Sequence, residues 1–399
     1  MLELNRLTGQ VVEMAEALAG QQTRLQSLTE QARQKLEEHA QVTDELKAKL
    51  RRATEVDSSW RGAEPLSTRL DAITLLPAVA EPATLIASDG SQIYPDPHGV
   101  ALYFLLNVGA IVLRQGSGAA PTTLTRSRVY FDERDLYDES ERLIETDQVN
   151  ARRDLWELRL LAELAAEERR VLEGDVDRVL VALGDGPLLL WMPQRLSDTQ
   201  QTRRVEEFGR ELDILRRMQA APLGYVDRPR SANVLRLLQL AEMPLDQITT
   251  QRLRANPFRG LSDRLLFRNL LGPGQRTGWF AATSEINKTY ETQGHRICFC
   301  YLNVAVQESA ERSRIVRIEA PEWLIRDEDL TGASLAAVWT DSRLTGYPYV
   351  LARAHELAVV NHHERGAFEQ MLRVELIRRQ MTAEVSPKQQ QKSYLGRRQ

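Results

Sequence analysis

The sequence predicts an α/β protein: a mixed sheet flanked by helices, with a helical arm before it. Two observations lead there. Short apolar and β-branched runs recur between long helix-like segments, while residues 1 to about 52 repeat apolar side chains three and four apart. Two of the strand-like runs also end on the same pair, Asp89-Gly90 and Asp185-Gly186.

In the arm, Leu4, Leu7, Val11, Met14, Leu18, Gln21, Leu25, Leu28 and Ala32 form an a/d seam that shifts through Leu36, Val42, Leu46 and Leu50. That spacing suits a coiled coil with a partner chain, or a helix packed on the body of its own chain, and Gly9 and Gly20 weaken it. Residues 53–83 are punctuated by Pro65, Pro77 and Pro82 and read as a linker. Leu85–Asp89, Val100–Asn107, Ala110–Gln115 and Thr122–Phe131 read as strands, and Glu139–Leu172 as a long helix. Arg178–Gly184 is another strand, after which helix-like and strand-like segments alternate, with an inserted helical part at about 195–275. Short strands are expected at Gly224–Asp227, Gly278–Ala282, Ile297–Val306 and Ile315–Glu319, and helices at 329–342, 348–360 and 362–380. Residues 381–399 form a polar tail in which Lys388, Lys392, Arg397 and Arg398 follow the last acid, Glu384.

The chain has 399 residues, 42 % hydrophobic and 27 % charged, which suits a globular protein with a sizeable core. A net charge of −4 excludes a uniformly basic coat but permits a local basic groove. Two cysteines only, Cys298 and Cys300, stand too close for an unstrained disulfide and suit a reducing, cytoplasmic setting. No apolar run reaches the roughly 18–20 residues of a membrane span, and no signal-peptide core opens the chain. Walker loops, GxGxxG, zinc-ligand spacing and G-x-S-x-G are absent.

Chemistry is expected where acids end buried strands. Cleaving a phosphodiester with divalent cations needs hard oxygen ligands converging from several elements. Asp89 and Asp185 meet that need if their strands are neighbours, and the glycine after each allows close approach. Either acid alone is more often a turn residue. A third acid is expected from "VNARRDLWELRLLAELAAEERR", where Arg153–Glu157 and Arg159–Glu163 share the four-residue spacing of one helix face. Spacing does not choose between Glu157 and Glu163. In "TGYPYVLARAHELAVV", Pro348 suits a helix start and places Tyr347 at its entrance. His355 lies on the apolar face with Leu351, Ala354 and Ala358. A lone histidine there is more often a core residue, yet an imidazole also ligates Mn²⁺ or shuttles protons.

The stretches "DGSQIYPD", "YFLLNVGAI", "ARRDLWELRLLAELA", "LGDGPLLLW", "FCYLNVA", "RIEAPEW" and "GYPYVLARAHELAVV", in this order over roughly residues 84–393, resemble the NurA nucleases, which act with the HerA ATPase on DNA double-strand breaks. The resemblance implies an RNase H-like core over 84–380 and a Mn²⁺-dependent site, with Mg²⁺ as a second candidate. It implies 5′ to 3′ exonuclease activity on DNA ends, endonuclease activity on single strands, a homodimer and a hexameric HerA-type partner. Site positions carry over as Asp89, Asp185, Glu157, Tyr347 and His355, with Glu163 as the fallback for Glu157; Pro187 departs from the serine of the family's second acid motif. Asp89, Asp185 and Glu157 would then hold the metal, His355 would be a ligand or proton shuttle, and Tyr347 would orient a phosphate or a water. Arg152, Arg153, Arg159, Arg228, Arg230 and Lys388 are candidate DNA contacts, although arginines on so charged a helix are more often a solvated face. Two other readings fit the same residues: a non-catalytic adaptor that binds DNA or the ATPase, and an RNase H-like nuclease acting on RNA or hybrids.

Overall fold

The structure, a computed structural model, describes residues 3–77, 82–137, 141–173, 178–190, 198–306, 313–343 and 345–381. It is mixed α/β, as the sequence predicts. In chain order come α1 (Thr8–Glu38), α2 (Asp44–Val56), the short β1 (Ala63–Pro65) and β2 (Ile73–Leu75), then the long β3 (Ala83–Ile93), β4 (Phe104–Arg114) and β5 (Thr122–Tyr130). A single turn, α3 (Glu133–Leu136), precedes α4 (Thr146–Val171), which begins where Gln148 Oε1 accepts from the Glu145 N–H. Next are β6 (Val179–Asp185), α5 (Asp198–Arg217), β7 (Ala220–Val226), α6 (Asn233–Ala241), α7 (Thr250–Arg254) and α8 (Asp263–Phe267). β8 (Gln275–Thr277), β9 (Phe280–Ala282), α9 (Glu285–Thr292), β10 (Ile297–Asn303) and β11 (Ile315–Pro321) follow. The last described elements are α10 (Glu322–Ile325), α11 (Glu328–Ser342), α12 (Tyr349–Ala358) and α13 (His362–Arg378).

The chain divides into two compact units. The first comprises Met1–Ala80, Gly186–Leu190 and Leu223–Tyr347. Here β10 pairs antiparallel with β11 along its whole length and with β8 and β9 along its other edge, and β1 and β2 extend β9 and β8. Both β10 and β11 are buried throughout; β10 is apolar almost along its length, while β11 buries Arg317 and Glu319, which pair with each other at 2.7 Å. Ala32, Leu36, Leu46, Leu50 and Ala53 of α1 and α2 join α6, Phe280, Phe299 and Tyr301 in one core. Trp60, Ala63 and Leu70, within the stretch read as a linker, are buried in it too. Earlier in the arm, Leu4, just before α1, and Val11, Met14 and Leu18 within it are 53–69 % exposed. Among the described residues no helix is long and apolar enough to cross a membrane.

The second unit comprises Glu81–Asp185, Trp191–Pro222 and Pro348–Gln399. Its strands run β5-β4-β3-β6: the first three form an antiparallel meander and β6 lies parallel to β3, the RNase H-like arrangement that the resemblance implies. A parallel neighbour needs a crossover, and α4 provides it. Side chains alternate between the two faces of β3. Ser88 donates to the Glu157 carbonyl of α4 at 3.0 Å, whereas Ser91 donates to the Ala358 carbonyl of α12 at 2.5 Å. So α4 covers one face and α12 the other. A half-buried pair, Arg114–Glu168, ties β4 to α4, and α13 lays Phe368 and Leu372 on Ile93, Tyr103 and Leu105.

Candidate active site

In the second unit, β3 and β6 end side by side. Their last paired residues are Ser88 and Gly184, so Asp89 and Asp185 follow in register and point to the same face. The two Asp-Gly pairs noted in the sequence are thus one structural feature. Asp89 Oδ1 accepts from the Gly90 N–H at 2.8 Å, and Oδ2 lies 2.6 Å from His355 Nδ1.

His355 comes to Asp89 because α12 crosses β3 and β4 closely. Gly109 is the cross-strand partner of Asp89, and a side chain there would meet the helix backbone: an added Cβ would lie 2.6 Å from the Ala358 nitrogen. The Ala358 carbonyl accepts from Ser91 Oγ at 2.5 Å and Asn107 Nδ2 at 2.7 Å, which pins the end of α12 to the sheet. His355 is 62 % exposed, so the core reading of this histidine does not hold. The apolar face of α12 is Leu351, Ala354 and Ala358, all buried, and His355 sits at its margin. Donation from Nδ1 to Asp89 would leave Nε2 as the ring's acceptor.

Glu157 arrives from the α4 face. It reaches the strand because Gly90 has no side chain: a Cβ there would lie 2.5 Å from Glu157 Oε1 and 2.7 Å from Arg153 Cγ. The Glu157 side chain is 17 % exposed and forms an ion pair with Arg153 Nε at 3.0 Å, but the angle makes no hydrogen bond, and Oε1 is buried without a hydrogen-bond partner. Burial drives the Glu157 carboxyl well above its ordinary range; Arg153 opposes this, while Asp154, Asp89 and Asp185 add to it. Arg153 is held in place by Gln92 Oε1 at 2.9 Å and Asp154 Oδ1 at 2.7 Å.

The structure therefore brings Asp89, Glu157, Asp185 and His355 together, with Arg153 among them. Glu163 faces away and pairs with Arg126 of β5. Arg159 pairs with Glu211 of α5 at 3.1 Å. Tyr347 is the last residue of the first unit, where its ring meets Tyr225 edge-on at 5.5 Å. Arg228, also in the first unit, is exposed and has φ of 46°; Arg230 is exposed there as well. Lys388 and the basic tail lie outside the described residues. Sequence reasoning passed over Asp154, whose carboxyl burial also pushes up, and whose spacing of three from Glu157 was a usable signal. It also missed Gln92 and the close approaches at Gly90 and Gly109, which only packing reveals.

Asp89, Asp185 and Glu157 offer hard oxygens of the kind Mg²⁺ or Mn²⁺ takes, and one of these oxygens is buried without a hydrogen-bond partner, but as placed their ligand atoms do not all lie within 4.8 Å of one another. Among the described residues, one group already has its ligand atoms within 4.8 Å of one another: Glu38, His39 and Glu242, in the first unit. Lys35 sits within it, 2.7 Å from Glu38 and 2.9 Å from Glu242, so that cluster carries its own cation.

Residues 83–360 of the chain match the NurA domain. The crystal structure of the NurA nuclease from Sulfolobus solfataricus superposes with a TM-score of 0.51 at 11 % identity, covering 95 % of this chain and 98 % of that one. The catalytic domain of human Endonuclease V gives a TM-score of 0.34 at 13 % identity, over 83 % of this chain and 99 % of that one. None of the curated proteins compared matches significantly. The family match spans more than half of the chain and contains Asp89, Glu157, Asp185 and His355: the chain belongs to the NurA domain family.

Proposed function

We propose that this protein is a metal-dependent DNA nuclease whose centre is Asp89, Glu157, Asp185 and His355. The observation that carries the reading is the placing of three acids at neighbouring positions, at the ends of β3 and β6 and on the facing turn of α4, with Glu157 Oε1 buried and lacking a hydrogen-bond partner. A divalent cation held by Asp89, Asp185 and Glu157, Mn²⁺ or Mg²⁺, would supply Lewis-acid charge stabilisation and water activation. The residues do the rest. Arg153 aims Glu157 and tempers the repulsion among the acids. Asp89 orients His355 through the 2.6 Å contact, and His355 Nε2 is free to take up or deliver a proton beside the leaving oxygen. Tyr347 would orient a phosphate or a metal-bound water.

The finer activity follows the same proposal: 5′ to 3′ removal of nucleotides from DNA ends and cleavage of single strands, in the cytoplasm, by a homodimer working with a HerA-type hexameric ATPase. Arg153, Arg159, Arg228 and Lys388 are its first candidate DNA contacts, and the exposed seam of α1 is a candidate dimer contact. The N-terminal arm, linker, nuclease core and basic tail remain the proposed division of labour. End-labelled DNA, digested with Mn²⁺, with Mg²⁺ and with EDTA, tests the reading when wild type is set beside Asp89→Ala. Cleavage lost in EDTA and in the variant supports it; equal cleavage by the variant overturns it. Labels at either end report polarity, and a matched RNA strand tests the sugar preference.

A further inference from the structure

Beside the acids, the second unit holds a cation that the reaction as described does not use. Arg204 projects from α5 and is half-buried, and its Nη1 is shielded from solvent with no hydrogen-bond partner. The charged groups acting on it are Glu207 on its own helix and Arg152 and Asp154 on α4. Both acids are shared. Arg203 approaches Glu207 at 3.5 Å, and Arg153 holds Asp154 Oδ1 at 2.7 Å. Arg152 is a like charge, bonded to Asp135 at 2.8 Å and lying over the Phe104 and Tyr130 rings at 5.5 and 5.9 Å. Burial and the nearby Arg152 together hold the Arg204 guanidinium below its ordinary range, against the pull of Glu207.

A solvated ion-pair face would leave Nη1 in water. Here Nη1 is a buried donor with no acceptor, on a side chain that also feels the like charge of Arg152 on α4, an arrangement that weakens the fold on its own account. Such an arrangement makes physical sense where an anion completes it. A guanidinium fork matches a phosphodiester better than a point charge does, and Arg152 is already oriented on aromatic rings, as cations lining a strand path are. Arg152, Arg153, Asp154 and Glu157 lie on neighbouring turns of α4, so an anion held between α4 and α5 sits next to the catalytic acids.

We propose that Arg204, supported by Arg152, binds a backbone phosphate of the DNA strand adjacent to the one being cut, and so sets which phosphodiester is presented to Asp89, Glu157 and Asp185. This rests on the nuclease reading. Arg204 is a binding and positioning residue in this role, distinct from the acids that do the chemistry.

The test is the salt dependence of binding of a fluorescent single-stranded oligodeoxynucleotide by full-length protein in EDTA, with thermal melts of each variant. Arg204→Gln is expected to weaken binding about tenfold. It should flatten the plot of log affinity against log salt by about 0.7, the value for one phosphate contact on a single strand. Its melting temperature should equal or exceed that of wild type, because a like-charge contact has gone. Arg204→Lys keeps the charge and loses the fork, so it should retain the slope and lose only part of the affinity. An unchanged affinity and slope in Arg204→Gln overturns the proposal while leaving the nuclease reading intact. A lower melting temperature accompanied by an unchanged slope shows a structural role and also overturns it. Wild type that binds no DNA would sink both readings together.

Discussion

Gly109→Ala is the sharpest perturbation available, because it acts on the site without touching any acid. Gly109 faces Asp89 across β4 and β3, and α12 passes directly over it. The added methyl would lie 2.6 Å from the Ala358 nitrogen and Leu357 Cβ, and 2.7 Å from the Leu357 carbonyl carbon. Ordinary contact begins at 3.4 Å, so the methyl is about 0.8 Å short of the room it needs. Backbone on both sides cannot rotate away as a flexible side chain could. The helix must lift, and His355, one turn before Ala358, lifts with it. A shift of that size stretches the 2.6 Å contact between His355 and Asp89 to about 3.4 Å, beyond hydrogen-bond range. The same shift strains the hydrogen bonds from Ser91 and Asn107 to the Ala358 carbonyl. Overpacking of this kind costs about 1–3 kcal/mol, or roughly 2–4 °C in melting temperature per kcal/mol for a unit of this size. A misplacement near 1 Å costs about 100-fold in rate. The assay is single-turnover cleavage of end-labelled DNA, with a thermal melt of the same preparation. Wild-type rate and wild-type melting together would refute the argument that the missing side chain sets α12. A lowered melting temperature with full activity would refute the claim that His355 must be held by Asp89.

Other expectations follow from the same geometry. Glu157→Gln should abolish cleavage yet raise the melting temperature in EDTA at neutral and alkaline pH. The folded protein holds the Glu157 pKa above its unfolded value, so the stabilisation from binding that proton is complete below the ordinary glutamate range and is lost as pH rises through the raised value. Melts from about pH 5 to pH 9 should therefore fall more steeply for wild type than for the variant. His355→Ala should slow cleavage by about 10²–10⁴ with little change in melting, since the side chain is mostly exposed; a rate within twofold of wild type removes it from the mechanism. Glu163→Gln should leave cleavage unchanged and cost at most about 1 kcal/mol, the worth of an exposed pair such as that with Arg126. Gly366→Ala, in α13 with nothing within 4 Å of the new methyl, should stabilise by about 0.5–1 kcal/mol without affecting cleavage, and denaturant melts would show it.

What the sequence determined by itself was the set of elements and the kind of chemistry. Short apolar runs at β3 and β4, long helical stretches at α4 and α13, and the repeated Asp-Gly pair are local patterns, because strand, helix and turn preferences act over neighbouring residues. They marked Asp89 and Asp185 as strand-end acids before any pairing was known. Which strands become neighbours is a long-range matter, and only the parallel register of Ser88 with Gly184 sets those acids together. The two candidates on α4 show the limit most clearly. Arg153–Glu157 and Arg159–Glu163 are the same motif to any local rule, yet one faces Gly90 and the other Arg126, because the helix presents different sides to the sheet edge six residues apart. His355 likewise reads as a core residue on its own helix, and becomes a partner of Asp89 once Gly109 lets α12 settle onto the strands. Arg204 carries no signal in the chain at all. Its burial and its exposure to the charge of Arg152 exist only because α5 packs on α4, since burial and electrostatic coupling are properties of distant residues meeting and are not encoded in the identity of any one of them.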